Sequence, residues 1–304
     1  MPKRQAGELM TVLEAIRETA TRLAKAKLAF GQGTHDAGEE AVFLVAEALR
    51  LPVNDIEPYL AAAVTRLEHQ HVNALVEKRI ATRAPAAYLV NRAYLQGLSF
   101  YIDKRAIVPR SFLAELLNGD LFLGARPSLG PRRVRRVLDL CTGSGCLAIL
   151  ACHLFPQAQV DAIDLSADAL EVATINVKEH RLEERVRLLK GDLFKPAGNA
   201  VYDLIISNPP YVDGEGMATL PPEFRKEPRL ALAAGDDGLD IVRRILDEAG
   251  AHLDRDGGLL CEIGRCRPAI EAAYPDLDFL WLDTEDSSGE VFWLPASALQ
   301  RKRG

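Results

Sequence analysis

The chain has 304 residues, of which 48% are hydrophobic and 26% charged, and its formal net charge is −6. This composition is typical of a globular protein with one large or two ordinary domains, and the charge gives no reason to expect non-specific binding to DNA or to a membrane surface. The five cysteines include no C-x-x-C pair, so the sequence predicts neither a metal site nor a disulfide framework. No stretch has the length of a signal peptide or a membrane span, which predicts a cytoplasmic protein.

Residues 1–84 show helical periodicity. Apolar residues recur at helical spacing between Leu9 and Leu23, again from Phe43 to Leu49, and once more from Val64 to Ile80. The pattern predicts a small helical domain without an obvious catalytic set, and we assign substrate recognition to it.

Residues 85–132 have a different pattern, which predicts a connecting segment. Apolar residues over 98–102 and 106–108 indicate two strands of a β-hairpin, with its turn at 103–105. Ser111 is then placed to cap a helix that runs from Phe112 to about Phe122.

Strands and helices alternate over residues 133–304, which predicts an α/β fold with a doubly wound parallel sheet and a final antiparallel strand. The predicted strands are 137–140, 160–164, 186–189, 204–207, 258–263, 277–282 and 291–294.

A glycine-containing loop follows the first of these strands. Asp139 and Leu140 lead into Cys141, Thr142, Gly143, Ser144 and Gly145, and a predicted helix begins next. Glycines allow the backbone to approach a ligand closely, and a helix N-terminus attracts negative charge. By itself the loop is compatible with a dinucleotide, a phosphate, an adenosyl ligand or only a tight turn.

Carboxylates at the next strand ends narrow these choices. Asp164 ends the second strand, where an acid can accept both hydroxyls of a ribose. Asp192 ends the third and can accept an adenine amino hydrogen while Leu193 packs on the ring. The loop lacks both a full G-x-G-x-x-G and a P-loop lysine, which counts against NAD and ATP. Asp139 suits a sulfonium with an amino-acid tail, so the predicted cofactor is S-adenosyl-L-methionine.

The fourth strand leaves the sheet at Asn208, Pro209, Pro210 and Tyr211, because neither proline has an N–H for the ladder. The Asn208 side-chain oxygen and the Pro209 carbonyl can accept both hydrogens of a planar amino group, and Tyr211 can stack on its plane. These four residues are the predicted catalytic set. They would orient a poorly nucleophilic amide nitrogen and stabilise the positive charge that grows on it. The alternative is a proline-rich strand exit with a helix-capping asparagine.

Together, these motifs resemble the class I methyltransferases that modify glutamine side chains at N5. The resemblance spans nearly the whole chain and includes residues 191–194 and the segment 227–232, which is similar to the family's glutamate-proline loop. It implies a Rossmann-like seven-stranded sheet, with the helical N-terminal domain joined through the hairpin. Val108, Pro109, Arg110 and Ser111 resemble the branch that modifies ribosomal protein three of the large subunit (uL3), whereas the branch that modifies peptide-chain release factors usually has Ile-Pro-Arg-Pro.

By position, the resemblance implies that residues 141–145, Asp164, Leu193 and Asn208 contact the cofactor, and that residues 208–211 hold the substrate glutamine. It also implies that Phe100 and the Pro109–Arg110 pair border the cofactor cleft. Three alternatives remain open at this point. These are methylation of release factors, N6 methylation of adenine in nucleic acid, and a non-catalytic binding module. The net charge of −6 and the lack of a basic recognition domain count against direct nucleic-acid binding.

Overall fold

The computed structural model describes residues 9–118, 133–285 and 287–300. Two units share this chain: one comprises residues 1–93 with 221–226, and the other 94–220 with 227–304. This division differs from the sequence-based boundaries at 84 and 132, which remain a prediction. The predicted end of the linking helix near Phe122 falls outside the described residues.

Helices dominate the first unit, as the periodicity predicted. Two of them begin with a capping box, in which Thr11 pairs with Glu14 and Thr65 with Glu68. Each box satisfies backbone N–H groups that a helix start leaves free. The helices are Val12–Lys25, Ala37–Leu49, Arg66–Thr82 and Ala86–Val90, with 3₁₀ turns at Val53–Asp55 and Glu57–Tyr59, and short strands β1 (Met10–Thr11) and β2 (Ala63–Val64).

A buried ion pair joins two helices of the first unit. The Arg79 guanidinium donates from Nε to Glu40 Oε1 at 2.8 Å and from Nη2 to Oε2 at 3.2 Å. The two side chains are only 1% and 4% exposed. Burial raises the pKa of Glu40, and the hydrogen bonds from Arg79 oppose that rise.

We expect Arg79→Met to lower the free energy of unfolding by about 3–5 kcal/mol, because it leaves the Glu40 carboxylate buried without its cation. Chemical denaturation followed through the helical signal measures the loss. Arg79→Met combined with Glu40→Leu should recover most of it, since no charge then remains buried. Equal losses in the single and double variants would contradict this explanation.

The predicted hairpin exists, but its predicted position was wrong. Strands β3 (Ala93–Leu95) and β4 (Leu98–Phe100) pair across the two-residue loop Gln96–Gly97. Both loop residues have positive φ, 49° and 76°, which matches the twist that a two-residue hairpin needs. A turn does form at the predicted position, where Ala106 N donates to Asp103 O at 3.2 Å, but the described segments on either side of it do not pair as strands. Within this turn the Arg105 guanidinium donates to the Asp103 carboxylate and lowers the pKa of that carboxyl group to about 2.

A seven-stranded sheet forms the centre of the second unit, with strand order β10-β11-β9-β8-β5-β6-β7. β11 runs antiparallel to both of its neighbours, and the pairs from β9 to β7 are parallel, which confirms the predicted fold class. β9 begins at Leu253, earlier than the predicted start at Gly258, because it already pairs there with β8. The strands are β5 (Arg136–Leu140), β6 (Gln159–Asp164), β7 (Val186–Lys190), β8 (Tyr202–Ser207), β9 (Leu253–Glu262), β10 (Leu280–Leu282) and β11 (Val291–Pro295).

Both faces of this sheet are covered. Val137 lies in one hydrophobic cluster with helix Cys146–Leu154, whereas Leu138 lies in a second cluster with helix Asp240–Ala249. Successive side chains of a strand point to opposite faces, so a doubly covered sheet needs continuous apolar runs of this kind. The remaining helices are Leu113–Asn118, Ala167–Glu179, Gly214–Thr219, Arg267–Ala273 and Ala296–Gln300. No described helix combines the length and apolar character that crossing a membrane requires.

Candidate active site

The glycine loop after β5 adopts a backbone that requires left-handed conformations. The φ angles of Cys141, Gly143 and Gly145 are 60°, 57° and 79°. A side chain at Gly145 would also meet the Cβ of Ala173 at 3.2 Å, so this glycine permits close packing of two helices. Thr142 N donates to Ile163 O at 3.1 Å, which ties the loop to the end of β6.

Asp139 is fully buried at the start of this loop. Its Oδ2 atom accepts from Thr142 Oγ1 at 2.5 Å and from Ala148 N at 3.1 Å. Its Oδ1 atom has no hydrogen-bond partner among the described residues. Burial raises the pKa of Asp139 to about 7, although both hydrogen bonds oppose the shift. A buried acceptor without a partner fits a ligand that brings a cationic N–H group.

This pKa predicts how stability depends on pH. The folded chain holds a proton on Asp139 that the unfolded chain, with the ordinary aspartate pKa of about 3.8, has released. The contribution of Asp139 to stability therefore falls as pH rises from about 4 to about 7, by up to about 1.4 kcal/mol per pH unit. Denaturation of the wild type and Asp139→Asn at pH 5 and pH 8 tests this. Between pH 5 and pH 8 we expect Asp139→Asn to lose less free energy of unfolding than the wild type. Parallel pH profiles would contradict the raised pKa of Asp139.

Asp164 links the end of β6 to the glycine loop. Its Oδ2 atom accepts from Gly143 N and its Oδ1 atom from Ser166 N, both at 2.8 Å. Burial raises the pKa of this carboxyl group, and the two backbone donors oppose the rise. The structure thus brings together the predicted loop and the predicted ribose-binding acid, and binding of a ribose remains a prediction.

Asp192 and Leu193 follow β7. The Asp192 carboxylate accepts from Lys195 Nζ at 2.8 Å and from Arg244 Nη2 at 2.7 Å, and these hydrogen bonds lower its pKa. Leu193 is 6% exposed and has a left-handed backbone with φ 48°. Sequence reasoning missed both cations. Arg244 is distant in the chain, and only the i+3 spacing of Lys195 could have indicated a pair. The predicted adenine contacts remain predictions.

The predicted catalytic set, residues 208–211, directly follows β8. Ser207 Oγ donates to Leu140 O at 2.9 Å, which holds this strand end beside the glycine loop. Asn208 and Pro210 are half-buried and Pro209 is buried. Neither the Asn208 side-chain amide nor the Pro209 carbonyl hydrogen-bonds to another described residue. In the described part of the chain nothing occupies these two acceptors, as their predicted role requires.

Tyr211 is held at several points by the chain that follows β9. Its hydroxyl donates to Glu262 Oε1 at 2.9 Å, and Cys266 Sγ donates to its carbonyl at 3.3 Å. Gly264 faces the ring so closely that a Cβ there would lie 2.6 Å from Tyr211 Cε2. Sequence reasoning assigned Glu262 to a strand and saw no site role for it.

The glutamate-proline loop joins two segments that the sequence singled out separately. Glu227 accepts from Arg110 Nη1 and Nη2 at 2.6 and 2.8 Å, and from Val108 N at 3.0 Å. Farther along the loop, Leu232 O accepts from Val212 N at 2.8 Å, directly after the catalytic set. The loop therefore connects the Pro109–Arg110 segment to the end of β8.

Residues 122–271 match the family model described as the methyltransferase small domain. The chain is 56% identical to the ribosomal protein uL3 glutamine methyltransferase of Bradyrhizobium diazoefficiens, over 96% of this chain and 93% of that protein. Proteins of the same name from Bordetella pertussis and Neisseria gonorrhoeae are 49% and 48% identical, covering 96% and 97% of this chain and 97% of each relative. The chain belongs to the ribosomal protein uL3 glutamine methyltransferase family. The predicted resemblance to the ribosomal-protein branch is confirmed.

Phe100, which the sequence indicated, and Asn176, which it did not, are both buried in this member of the uL3 glutamine methyltransferase family. Phe100 is 1% exposed and stacks on His180, with ring centroids 5.1 Å apart, and its place at the border of the cofactor cleft stays a prediction. Asn176, which the sequence did not indicate, is fully buried and donates to Ser144 O at 2.8 Å and Tyr101 O at 3.0 Å. It holds the glycine loop from the helix Ala167–Glu179.

Cys141, in the glycine loop, is not a reactive cysteine in this arrangement. Burial raises the pKa of Cys141 above its ordinary range, so its thiol stays protonated at neutral pH. All five cysteines are free, and the described residues contain no group of three potential metal ligands.

Proposed function

We propose that this protein transfers a methyl group from S-adenosyl-L-methionine to the N5 side-chain amide of a glutamine in ribosomal protein uL3. The observation that carries this proposal is the 56% identity, over 96% of the chain, with a relative named for that activity. A cytoplasmic location and the absence of direct nucleic-acid binding belong to the same proposal.

We assign the cofactor to the glycine loop, residues 141–145, together with Asp139, Asp164, Asp192 and Leu193. The buried Oδ1 atom of Asp139, which has no partner among the described residues, fits the cationic amino group of an amino-acid tail. When bound, S-adenosyl-L-methionine supplies a methyl group made electrophilic by its sulfonium. The backbone N–H groups of Gly143 and Ser166 donate to the Asp164 carboxylate. They keep it at the strand edge, where ribose hydroxyls would reach it.

The residues after β8 orient the substrate amide. An amide nitrogen is a poor nucleophile because its lone pair is delocalised into the carbonyl. Asn208 Oδ1 and the Pro209 carbonyl accept its two hydrogens, which fixes the nitrogen and stabilises the positive charge that develops on it. No side chain with an unusual pKa is needed as a base, because the proton becomes acidic only after the methyl group has arrived, and water can accept it then.

Incubation with methyl-labelled cofactor and three candidate acceptors tests the proposal. These are uL3, a peptide-chain release factor and an adenine-containing duplex. We expect label in uL3, and mass spectrometry of its peptides should place the added methyl group on a glutamine. Label only in the release factor would assign the chain to the sister branch, and label only in the duplex would overturn amide methylation altogether.

A further inference from the structure

Glu262 is a buried carboxylate at the carboxyl end of β9, 1% exposed. Three donors converge on it. Tyr211 Oη donates to Oε1 at 2.9 Å, while Ser111 Oγ and Phe112 N donate to Oε2 at 2.6 and 3.0 Å. Ser111 Oγ in turn accepts from Leu113 N at 3.2 Å, so it also caps the following helix. The carboxylate therefore links the catalytic set to the segment after Arg110.

The contacts around Glu262 restrain Tyr211 in more than one direction. The hydroxyl is held by Glu262, the backbone carbonyl by Cys266 Sγ, and one side of the ring lies against Gly264, whose φ is 51°. Arg265 also forms an ion pair with Asp213, two residues after the tyrosine. A ring fixed at its hydroxyl, its edge and its backbone keeps a defined plane.

The charges support a donor role for the tyrosine hydroxyl. Burial raises the pKa of both Tyr211 and Glu262, while the three donors to Glu262 oppose the second shift. The other charged groups that act on this pair are Glu290 and Arg110. Tyr211 consequently keeps its proton and directs it at Glu262. A hydrogen bond between a hydroxyl and a buried carboxylate is among the stronger ones in proteins.

We propose that Glu262 is a positioning residue for the methyl transfer, which holds the Tyr211 ring in the plane required to stack on the substrate amide. Ser111 and Phe112 hold Glu262 in turn. The inference rests on the proposed function, because it concerns the same acceptor amide, and it adds a residue that does not itself touch the substrate.

The test is a double-mutant cycle with Tyr211→Phe and Glu262→Gln. Phe112 N cannot reverse its role, so the glutamine oxygen must stay with it. The new NH₂ group then faces Tyr211, whose hydroxyl can only accept from it in a weaker, uncharged hydrogen bond. Each single variant should lower kcat on uL3 about tenfold. The double variant should be no slower than the slower single variant, because both changes remove the same charge-assisted hydrogen bond. The dissociation constant for S-adenosyl-L-methionine should stay within about twofold.

Tyr202→Phe provides a matched control. Tyr202 is also buried and donates to a carboxylate, Asp161 Oδ2, at 2.7 Å, but at the opposite end of β8 from Asn208. Its removal should lower the melting temperature and leave kcat unchanged. If Glu262→Gln fails to fold, Glu262→Asp replaces it in the cycle, since the shorter side chain keeps the charge but cannot reach all three donors.

Three results would overturn the proposal. These are an unchanged kcat in Glu262→Gln, multiplicative losses in the double variant, and a weakening of cofactor binding as large as the loss of kcat. Melting temperatures of the wild type, the two single variants and the double variant give the same cycle without any substrate. Additive shifts in melting temperature would contradict the contact between Tyr211 and Glu262. Failure of the wild type to methylate uL3, alongside coupled melting temperatures, would overturn only the proposed function.

Discussion

Asn208→Ala is expected to lower kcat by roughly 10²–10³-fold, by analogy with the loss of one preorganised donor from an oxyanion hole, because Asn208 stabilises developing charge of the opposite sign. The Asn208 side chain makes no hydrogen bond to another described residue, so its loss should leave the fold intact. Single-turnover methylation of uL3 measures the rate, and calorimetric titration should give a cofactor dissociation constant within about threefold of the wild type.

Asn199→Ala is the matched control for Asn208→Ala. It makes the same chemical change at an exposed position before β8. We expect wild-type turnover from it. If Asn208→Ala retains wild-type turnover as well, the amide-orienting role of Asn208 is wrong.

Asp164→Ala should weaken binding of S-adenosyl-L-methionine by roughly a hundredfold or more, since hydrogen bonds to a charged group are each worth about 1.5–3 kcal/mol. The change removes the predicted acceptor of the ribose hydroxyls, and it also frees the Gly143 and Ser166 N–H groups that Asp164 now holds. Calorimetric titration of the variant with the cofactor measures the effect.

Ser166→Ala tests whether a disturbed helix start alone could account for this loss of affinity. It removes the helix cap, in which Ser166 Oγ accepts from Ala169 N at 3.1 Å, and leaves the Asp164 carboxylate in place. Loss of such a cap typically costs about 1 kcal/mol of stability. We expect the cofactor affinity to persist in this variant, whereas an equal loss of affinity in both variants would assign the effect to the helix start.

The strand ends of the second unit could be predicted from sequence because their signals are local. An apolar run stopped by glycines after Asp139, or by two prolines after Asn208, marks where a parallel strand leaves the sheet. The hairpin could not be placed as reliably, because the choice between Gln96–Gly97 and 103–105 depends on backbone twist. Both segments have turn-forming residues, and only the first adopts the left-handed loop.

Partners that meet across the fold were beyond the reach of sequence patterns. Glu262 lies in an apolar strand and Asn176 in a helix, and each hydrogen-bonds to residues far away in the chain. Arg244, which pairs with Asp192, comes from the helix Asp240–Ala249, which follows the next strand, β8. A residue's own type and spacing predict its local conformation, whereas these contacts depend on the register in which the elements pack.

The segment Pro221–Lys226 gives the first unit an unusual order of assembly. Although it follows β8 in the chain, it belongs to the helical unit. There Glu223 contacts the Arg83 guanidinium, and the Phe224 ring lies 3.3 Å from the position a Cβ would take at Gly31. During synthesis the N-terminal helices therefore emerge long before this part of their own core. A truncated chain that ends at residue 93 would lack the Glu223 carboxylate opposite Arg83, so the helical unit is not a detachable module that could be transplanted as one continuous piece.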